Sequence, residues 1–446
     1  MSLSPNGGWF EASSVSVTPS ITTDPRAPLS STRYKINNGS WVNYTNGNIS
    51  VPLGPNQGDT TTLTVEATNS AGTTSVSAQF RKGTQPLPSF SWKNANVYFV
   101  ITDRFFDGNP SNNNSYGRPQ VDATGKNIGT FHGGNIPGLK AKLDPNYFTD
   151  LGINVIWITA PYEQAHGFVG GGSSGDFAHY AYHGYYALDF SNIDANMGTR
   201  QQFKEFVDAA HAKGIRIILD IVMNHSGYPT LKDMQDTGFN PTKNSNFSWT
   251  PGSGQNWFGY HDAVLDYTNT TEWGKWWGDW VRAGLPGYTP PEGGDLTMSL
   301  AYLPDFKTED TTLRPLPTFL QNKSTYGGAF ENGYTKTGTR RVRDWIADWL
   351  SQWVREYGID GFRVDTAKHV EMDSWLALRS KATQALQDWR QAQAAKPETQ
   401  RAPGWDWQDS FWMVARYGDT DLVNHPTTPF KAVPLTASLT LPSKVL

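Results

Sequence analysis

The amino-acid sequence predicts an α/β protein in which a barrel of parallel strands and helices follows a small antiparallel β-sandwich. Three observations carry that prediction. A helix that ends at a glycine and runs straight into an apolar strand recurs three times: Asp150-Leu151-Gly152-Ile153 before 155–158, Ala212-Lys213-Gly214-Ile215 before 217–222, and Glu356-Tyr357-Gly358-Ile359 before 361–365. Glycine accepts the left-handed backbone that closes a helix. The strands are unbroken apolar runs, which suits burial on both faces. Residues 6–80 read differently: helix signals are sparse, Ser, Thr and Asn abound, and short runs alternate apolar with polar.

In chain order, residues 1–82 hold the sandwich, immunoglobulin-like in general character. Val15-Ser16-Val17, Tyr34-Lys35-Ile36, Leu63-Thr64-Val65 and Val76-Ser77-Ala78-Gln79-Phe80 are its strands, and Asn37-Asn38-Gly39 is a hairpin turn between two of them. This module either binds carbohydrate through Trp9 or Trp41 or serves as a spacer. Residues 83–95 form a Pro-containing linker. The first part of the barrel covers 96–225 and opens on Val97-Tyr98-Phe99-Val100-Ile101. Residues 226–338, rich in Gly, Pro, Asn and Trp, show no sustained helical period. They are too long for a loop in a compact domain, so an inserted domain is expected, overhanging the strand end it leaves. The second part of the barrel covers 339–415. In its first helix Val342, Trp345, Ile346, Trp349, Leu350, Trp353 and Val354 recur at spacings of three and four, which makes these tryptophans core rather than sugar platforms. A long helix over 371–395 and a strand over 410–415 follow.

The stretch from Gly361 to His369 organises the rest. On a strand, Arg363 and Asp365 point to the same side. A guanidinium beside a carboxylate keeps it ionised, as a carboxylate nucleophile requires; a purely structural ion pair would look the same in isolation. Other polar residues fall at strand C-terminal ends, where a parallel barrel carries its active site: Asp220, Asn224, His225, Lys368 and His369.

Composition narrows the function. In 446 residues, charged residues are 17% and aromatics 13%, with 18 Trp, a surplus suited to stacking on flat, hydroxyl-rich rings or to a large aromatic core. Net charge is −4 and no Lys/Arg run occurs, which argues against nucleic acid and anionic membrane as partners. No apolar run is long enough to span a bilayer. The absence of Cys excludes disulfides and thiolate metal sites. No signal peptide is legible at Met1, although one is removed from many mature proteins.

Five stretches now carry a resemblance: Thr102-Asp103-Arg104-Phe105, Ala181-Tyr182-His183-Gly184-Tyr185, Asp220-Ile221-Val222-Met223-Asn224-His225, Leu303-Pro304-Asp305-Phe306, and Gly361 through His369. Over roughly 96–415 the chain resembles the α-amylase family of retaining glycoside hydrolases, among them the bacterial secreted and periplasmic α-amylases. The resemblance implies a (β/α)8-type barrel, of which only about five strands are apparent, with the inserted domain after strand 3. It implies Asp365 as nucleophile with Arg363 fixing its charge. Tyr185, His183 and His225 would contact the sugar at the cleavage point, with Lys368 and His369 on the acceptor side. It also implies a structural Ca²⁺ held by Asn224, Asp305 and the carbonyl of His369; oxygen-only ligands suit that ion. The run Asp107-Gly108-Asn109-Pro110-Ser111-Asn112-Asn113 is similar to a second calcium loop of cyclodextrin glycosyltransferases, giving Asp107, Asn109, Asn112 and Asn113 as ligands, or else it is an Asn-rich turn. Starch or maltooligosaccharide is the implied substrate, a secreted or periplasmic site the implied location, and a monomer the expected state. The same nucleophile would serve a transglycosylase, and a non-catalytic carbohydrate-binding protein is a further reading.

The sequence departs from the family at its end. Retention needs a second carboxyl, the general acid/base, about 5 Å from the nucleophile. The family places a glutamate directly after a strand like 411–415, where this chain has Arg416. Asn424-His425-Pro426 comes too early to be the family's later Asn-His-Asp motif. Restoring one base before the Arg416 codon permits a reading that begins Glu-Val-Trp-Gly-His, so residues 416–446 read as an out-of-frame tail. On this reading the chain as written is inactive on starch and poorly folded, since losing the general acid alone costs about 10²–10⁴-fold.

Overall fold

The computed structural model describes residues 1–83, 90–118, 128–172, 174–175, 177–244 and 256–415. The chain divides into two compact units, 1–89 and 90–446. In the first unit the sheets are of three and five strands. The expected alternation sets the core: in Ser14–Ser20 and Thr60–Asn69 every second side chain is buried, and Val17, Val51, Leu63, Val65 and Phe80 meet between the sheets. Asn37 sits at φ 51°, which an Asn tolerates, and turns Leu29–Ile36 into the short strand Val42–Asn43. The same strand also pairs with Thr60–Asn69. Trp41 lies under Arg33 and Lys35, at 4.5 and 4.8 Å, and Trp9 under Arg81 at 5.4 Å. Cations of the chain itself therefore lie over a face of each ring offered as a sugar platform.

In the second unit the apolar runs form β1 (Val97–Val100), β2 (Val155–Ile158), β3 (Arg216–Ile221), β4 (Gly361–Val364) and β5 (Trp412–Ala415). They lie side by side and parallel in the order β5-β4-β3-β2-β1. Among the described residues this is an open array of five strands, not the closed barrel of eight that the resemblance implied. The helix preceding β4, α1 (Val342–Tyr357), ends at Gly358 with φ 75°, whose N–H bonds the Val354 carbonyl as the capping argument requires. Its tryptophans are core: Trp345, Trp349 and Trp353 are fully buried, and Trp353 donates to the Phe190 carbonyl at 2.8 Å. The 371–395 helix is found as α2 (Met372–Ala394), packed against α1.

The described residues of 226–338 contain only short elements, Leu231–Thr237, Thr270–Trp273 and Thr318–Asn322 among them. Their Trp273, Trp276, Trp277 and Trp280 join the same hydrophobic core as α1, with Trp280 stacked on Trp349 at 5.8 Å. A buried charge cluster fastens this segment further. Glu163 accepts from His166 at 2.7 Å and from Lys323 at 2.7 Å; Lys323 also pairs with Asp189 at 3.0 Å, and His166 with Asp236 at 2.8 Å. Burial alone would raise the Glu163 carboxyl, but the His166 hydrogen bond and the Lys323 charge overcome it and hold it at about 2.

Candidate active site

The carboxylates are delivered by adjacent strands. The register of β3 with β4 sets Asp220 opposite Arg363, and Asp365 follows β4 immediately, its N–H bonded to the Ile221 carbonyl. Arg363 Nη1 stands 2.9 Å from Asp220 Oδ1 and 2.9 Å from Asp365 Oδ1. One guanidinium nitrogen thus bridges two carboxylates. Asp220 is buried and also accepts from Tyr185 Oη at 3.0 Å and Trp157 Nε1 at 3.3 Å. Burial pushes its carboxyl up to about 6 against the pull of Arg363. Asp365 is more open, with its side chain 21% exposed against 1% for Asp220. Of the two, Asp365 is the one a ligand can reach.

Around this pair stand Tyr185, His183 and His225. His183 stacks on Tyr185 with centroids 5.3 Å apart and accepts the Tyr185 N–H at Nδ1. Burial pushes His183 down to about 3 and His225 down to about 4, so both rings are neutral at neutral pH; with Nδ1 of each already accepting within the chain, each has Nε2–H left to donate. Such groups suit hydroxyls better than charged ligands. Lys368 and His369 are turned to residue 295: Lys368 Nζ lies 3.3 Å from Asp295 Oδ1, and His369 Nδ1 2.7 Å from the Asp295 carbonyl.

The expected metal residues divide into two cases. Asn224 donates through Nδ2 to His225 Nδ1 at 3.2 Å, which turns its Oδ1 the other way, buried and without a hydrogen-bond partner. An isolated bridge between His225 and Asp305, and a bond from Phe306 N–H to the Asn224 carbonyl at 2.8 Å, bring the Asp305 segment alongside. Asp305 Oδ2 accepts from Arg282 Nη1 at 3.1 Å. A buried, unpartnered amide oxygen beside a carboxylate fits a hard cation.

The loop of Asp107, Asn109, Asn112 and Asn113 is different. Its oxygens do converge, but on a nitrogen. Asn135 Nδ2 lies 3.0 Å from Asp107 Oδ1, 3.2 Å from the Asn109 carbonyl, 3.3 Å from Asn112 Oδ1 and 3.1 Å from the Gly133 carbonyl. The amide cannot turn over, because Asn135 Oδ1 accepts from the N–H groups of Gly108 and Gly138 at 3.0 Å each. The Asn109 side chain caps Pro110–Asn112 instead, and Asn113 Nδ2 donates to Asp107 Oδ2. As the residues stand they do not fit a cation, since an amide group fills its place. The sequence reading missed Asn135 altogether, as well as Trp157, hidden within an apolar strand, and Asp295, in a segment without a motif.

An array of parallel strands that presents its polar side chains at the C-terminal ends is the layout of α/β-barrel enzymes, whose active sites lie on that face. The model of the α-amylase catalytic domain matches residues 99–279. The periplasmic α-amylase of Escherichia coli (strain K12) is 49% identical over 328 residues, 71% of this chain and 47% of that protein. A cyclomaltodextrin glucanotransferase of Bacillus sp. (strain 6.6.3) is 32% identical over 290 residues, 63% of this chain and 32% of that protein. An α-amylase from Geobacillus thermoleovorans, solved with acarbose, aligns with TM-score 0.40 and 20% identity over 75% of this chain and 48% of that one. The chain belongs to the α-amylase family. It spans less than half the length of the curated relatives it matches.

Proposed function

We propose that the strand-end site takes α-glucans of the starch and maltooligosaccharide class, and that Asp365 is the nucleophile of retaining endo-hydrolysis at α-1,4 bonds. The observation that carries this reading is the Arg363 nitrogen held 2.9 Å from both Asp365 and Asp220. It fixes the direction of Asp365, while neutral His183 and His225 and the face of Tyr185 meet the sugar. Asp365 attacks C1, the C1–O bond breaks as the ester forms, and the leaving oxygen needs a proton from a second carboxyl. β5 ends at Ala415, paired with Val364 beside Asp365, and the next residue in sequence is Arg416. Residues 416–446, on which the out-of-frame reading falls, lie outside the described residues. On our reading the chain forms the ester only from substrates whose leaving group requires no proton.

Asn224, Asp305 and the His369 carbonyl would hold a Ca²⁺ that ties β3 to the inserted segment. Its contribution is structural. The periplasmic relative supports a secreted or periplasmic location.

An activated sugar fluoride tests the nucleophile. With 5-fluoro-α-maltosyl fluoride, fluoride leaves unaided and the C1–O bond to Asp365 forms. Mass spectrometry should find one added glycosyl on the peptide containing Asp365 and none in Asp365→Asn. Labelling elsewhere, or none in a folded chain, would sink the proposal, and ordinary amylase rates on soluble starch would sink the missing-acid reading. The cyclomaltodextrin glucanotransferase relatives favour transfer as a second reading: adding maltose as acceptor would then release a longer linear sugar from the labelled chain.

A further inference from the structure

The buried charge cluster reaches the strand-end site through three consecutive residues. Tyr162, Glu163 and Gln164 form a short strand, and each is 1% exposed or less. Glu163 faces the cluster: it accepts from His166 Nε2 and from Lys323 Nζ at 2.7 Å each, and from Asn192 Nδ2. Its neighbours face the other way, as alternation on a strand requires. Tyr162 Oη accepts the Val222 N–H at 3.1 Å, just past the end of β3, and Gln164 Oε1 accepts the Tyr186 N–H at 2.8 Å. The Ala165 N–H bonds the Tyr186 carbonyl at 2.8 Å, so both backbone groups of Tyr186 are held. The adjacent Tyr185 donates to Asp220 at 3.0 Å.

Pairing alone does not fix this strand. Against Ala187–Ile193 its register slips at both steps, and the pairing sets Glu163 opposite Asp189, two buried carboxylates. Like charges directly opposite destabilise a strand pair. Lys323 Nζ bridges them, 2.7 Å from Glu163 and 3.0 Å from Asp189. It belongs to the inserted segment, directly after Thr318–Asn322, and is 7% exposed. We infer that Lys323 is a positioning residue: by joining Glu163 to Asp189 it fixes the strand that carries Tyr162 and Gln164, and so sets Tyr185 and the end of β3 around Asp220. Lys323 thus acts on the reaction only through other residues. This rests on the function proposed above.

The experiment is the rate of Asp365 labelling by 5-fluoro-α-maltosyl fluoride at saturating concentration, per folded molecule, in the full chain and its variants. Lys323→Met should slow labelling about 10-fold, whereas Lys323→Arg, which keeps a cation between the two carboxylates, should stay within about twofold. Gln164→Met removes the acceptor for the Tyr186 N–H and should cost a similar factor. In the double variant the two losses should not multiply, because both break one path. A merely structural ion pair would lower the melting temperature of Lys323→Met and leave its folded molecules labelling at the full rate. That result, or losses that multiply to about 100-fold, overturns the inference. Should Lys323→Met not fold, Asn192→Ala frees one Glu163 oxygen and leaves both cations; it should still slow labelling about 3-fold, and an unchanged rate overturns the inference equally. An unaltered chain that folds and is not labelled at Asp365 overturns the proposed function and this inference together. Labelling at one rate in the unaltered chain and every variant overturns the inference alone.

Discussion

Replacing Asn135 by Asp exchanges one NH₂ group for an oxygen and should turn a self-contained loop into one that requires a cation. Asn135 Nδ2 carries two hydrogens and stands within 3.0–3.3 Å of four oxygens, one of them on the Asp107 carboxylate. The substitution removes the two best of these hydrogen bonds, worth about 1 kcal/mol for a neutral acceptor and about 2 kcal/mol for the charged one. It also sets a second carboxylate against Asp107 at close range, which at an effective dielectric near 20 adds up to about 4 kcal/mol. Without metal the variant should lose about 3–7 kcal/mol and melt roughly 4–10 °C lower. The new oxygen completes an all-oxygen ring of the kind Ca²⁺ accepts, so millimolar Ca²⁺ should restore most of the loss. Thermal unfolding in chelator and in Ca²⁺ measures both changes, and equilibrium dialysis counts ions. The variant should bind one ion more than the unaltered chain. If the unaltered chain already binds two, and Asn224→Ala removes only one of them, the amide does not fill the loop and the reasoning fails.

Other predictions concern the carboxylate pair and the buried charge cluster. Arg363→Lys replaces a bridging guanidinium by a shorter point charge that cannot hold Asp220 and Asp365 alike; the rate of fluoride labelling at Asp365 should fall about 100-fold, and an unchanged rate would show that the bridge is only structural. His166 is pushed down by burial but raised overall by its bonds to Asp236 and Glu163. A group with raised pKa stabilises fully below its unfolded value of 6.5 and loses that contribution as pH climbs through the folded value. Glu163, held at about 2, acts oppositely: its contribution is complete above 4.5 and fades as pH falls toward 2. With Lys323, Asp189, Asp233, Asp236 and Tyr116 also facing the cluster, denaturant unfolding should show greatest stability between roughly pH 4.5 and 6.5 and a decline above it. His166→Ala should cost about 3–5 kcal/mol in that window and flatten the alkaline limb; a variant that keeps the full alkaline slope would clear His166 of the role.

What the sequence disclosed is what short-range pattern determines. The helix–glycine–strand repeats located β2, β3 and β4, because a left-handed cap and an apolar run are local requirements. The spacing of Trp345, Trp349 and Trp353 announced burial, since a stripe on one helix face has only the core to meet. Arg363 and Asp365 were legible as a pair because strand geometry alone puts them on one side. Asn135 was not, for its two oxygen contacts and four nitrogen contacts come from residues on both sides of it in the fold, and the chain there reads only as an Asn before Ile136-Pro137. Asp295 and Lys323 likewise depend on how the inserted segment folds back, which no period in 226–338 encodes. The covering of Trp9 and Trp41 by Arg81, Arg33 and Lys35 was hidden for the same reason: cross-strand neighbours are set by register, and the composition of the strands does not give it.

The order β5-β4-β3-β2-β1 has two ends. Among the described residues no strand pairs with the outer side of β1 or of β5, and a row of peptide N–H and carbonyl groups on each is a template for any extended segment that drifts past. Trp92 covers part of one end, stacked on Trp412 at 4.7 Å with its Nε1 donating to the Ser410 carbonyl at 2.9 Å. The behaviour of this chain in solution should therefore depend on its concentration long before any sugar is added. Purified dilute it should scatter little light; concentrated or warmed, it should associate through strand edges and gain extended structure in its infrared amide band.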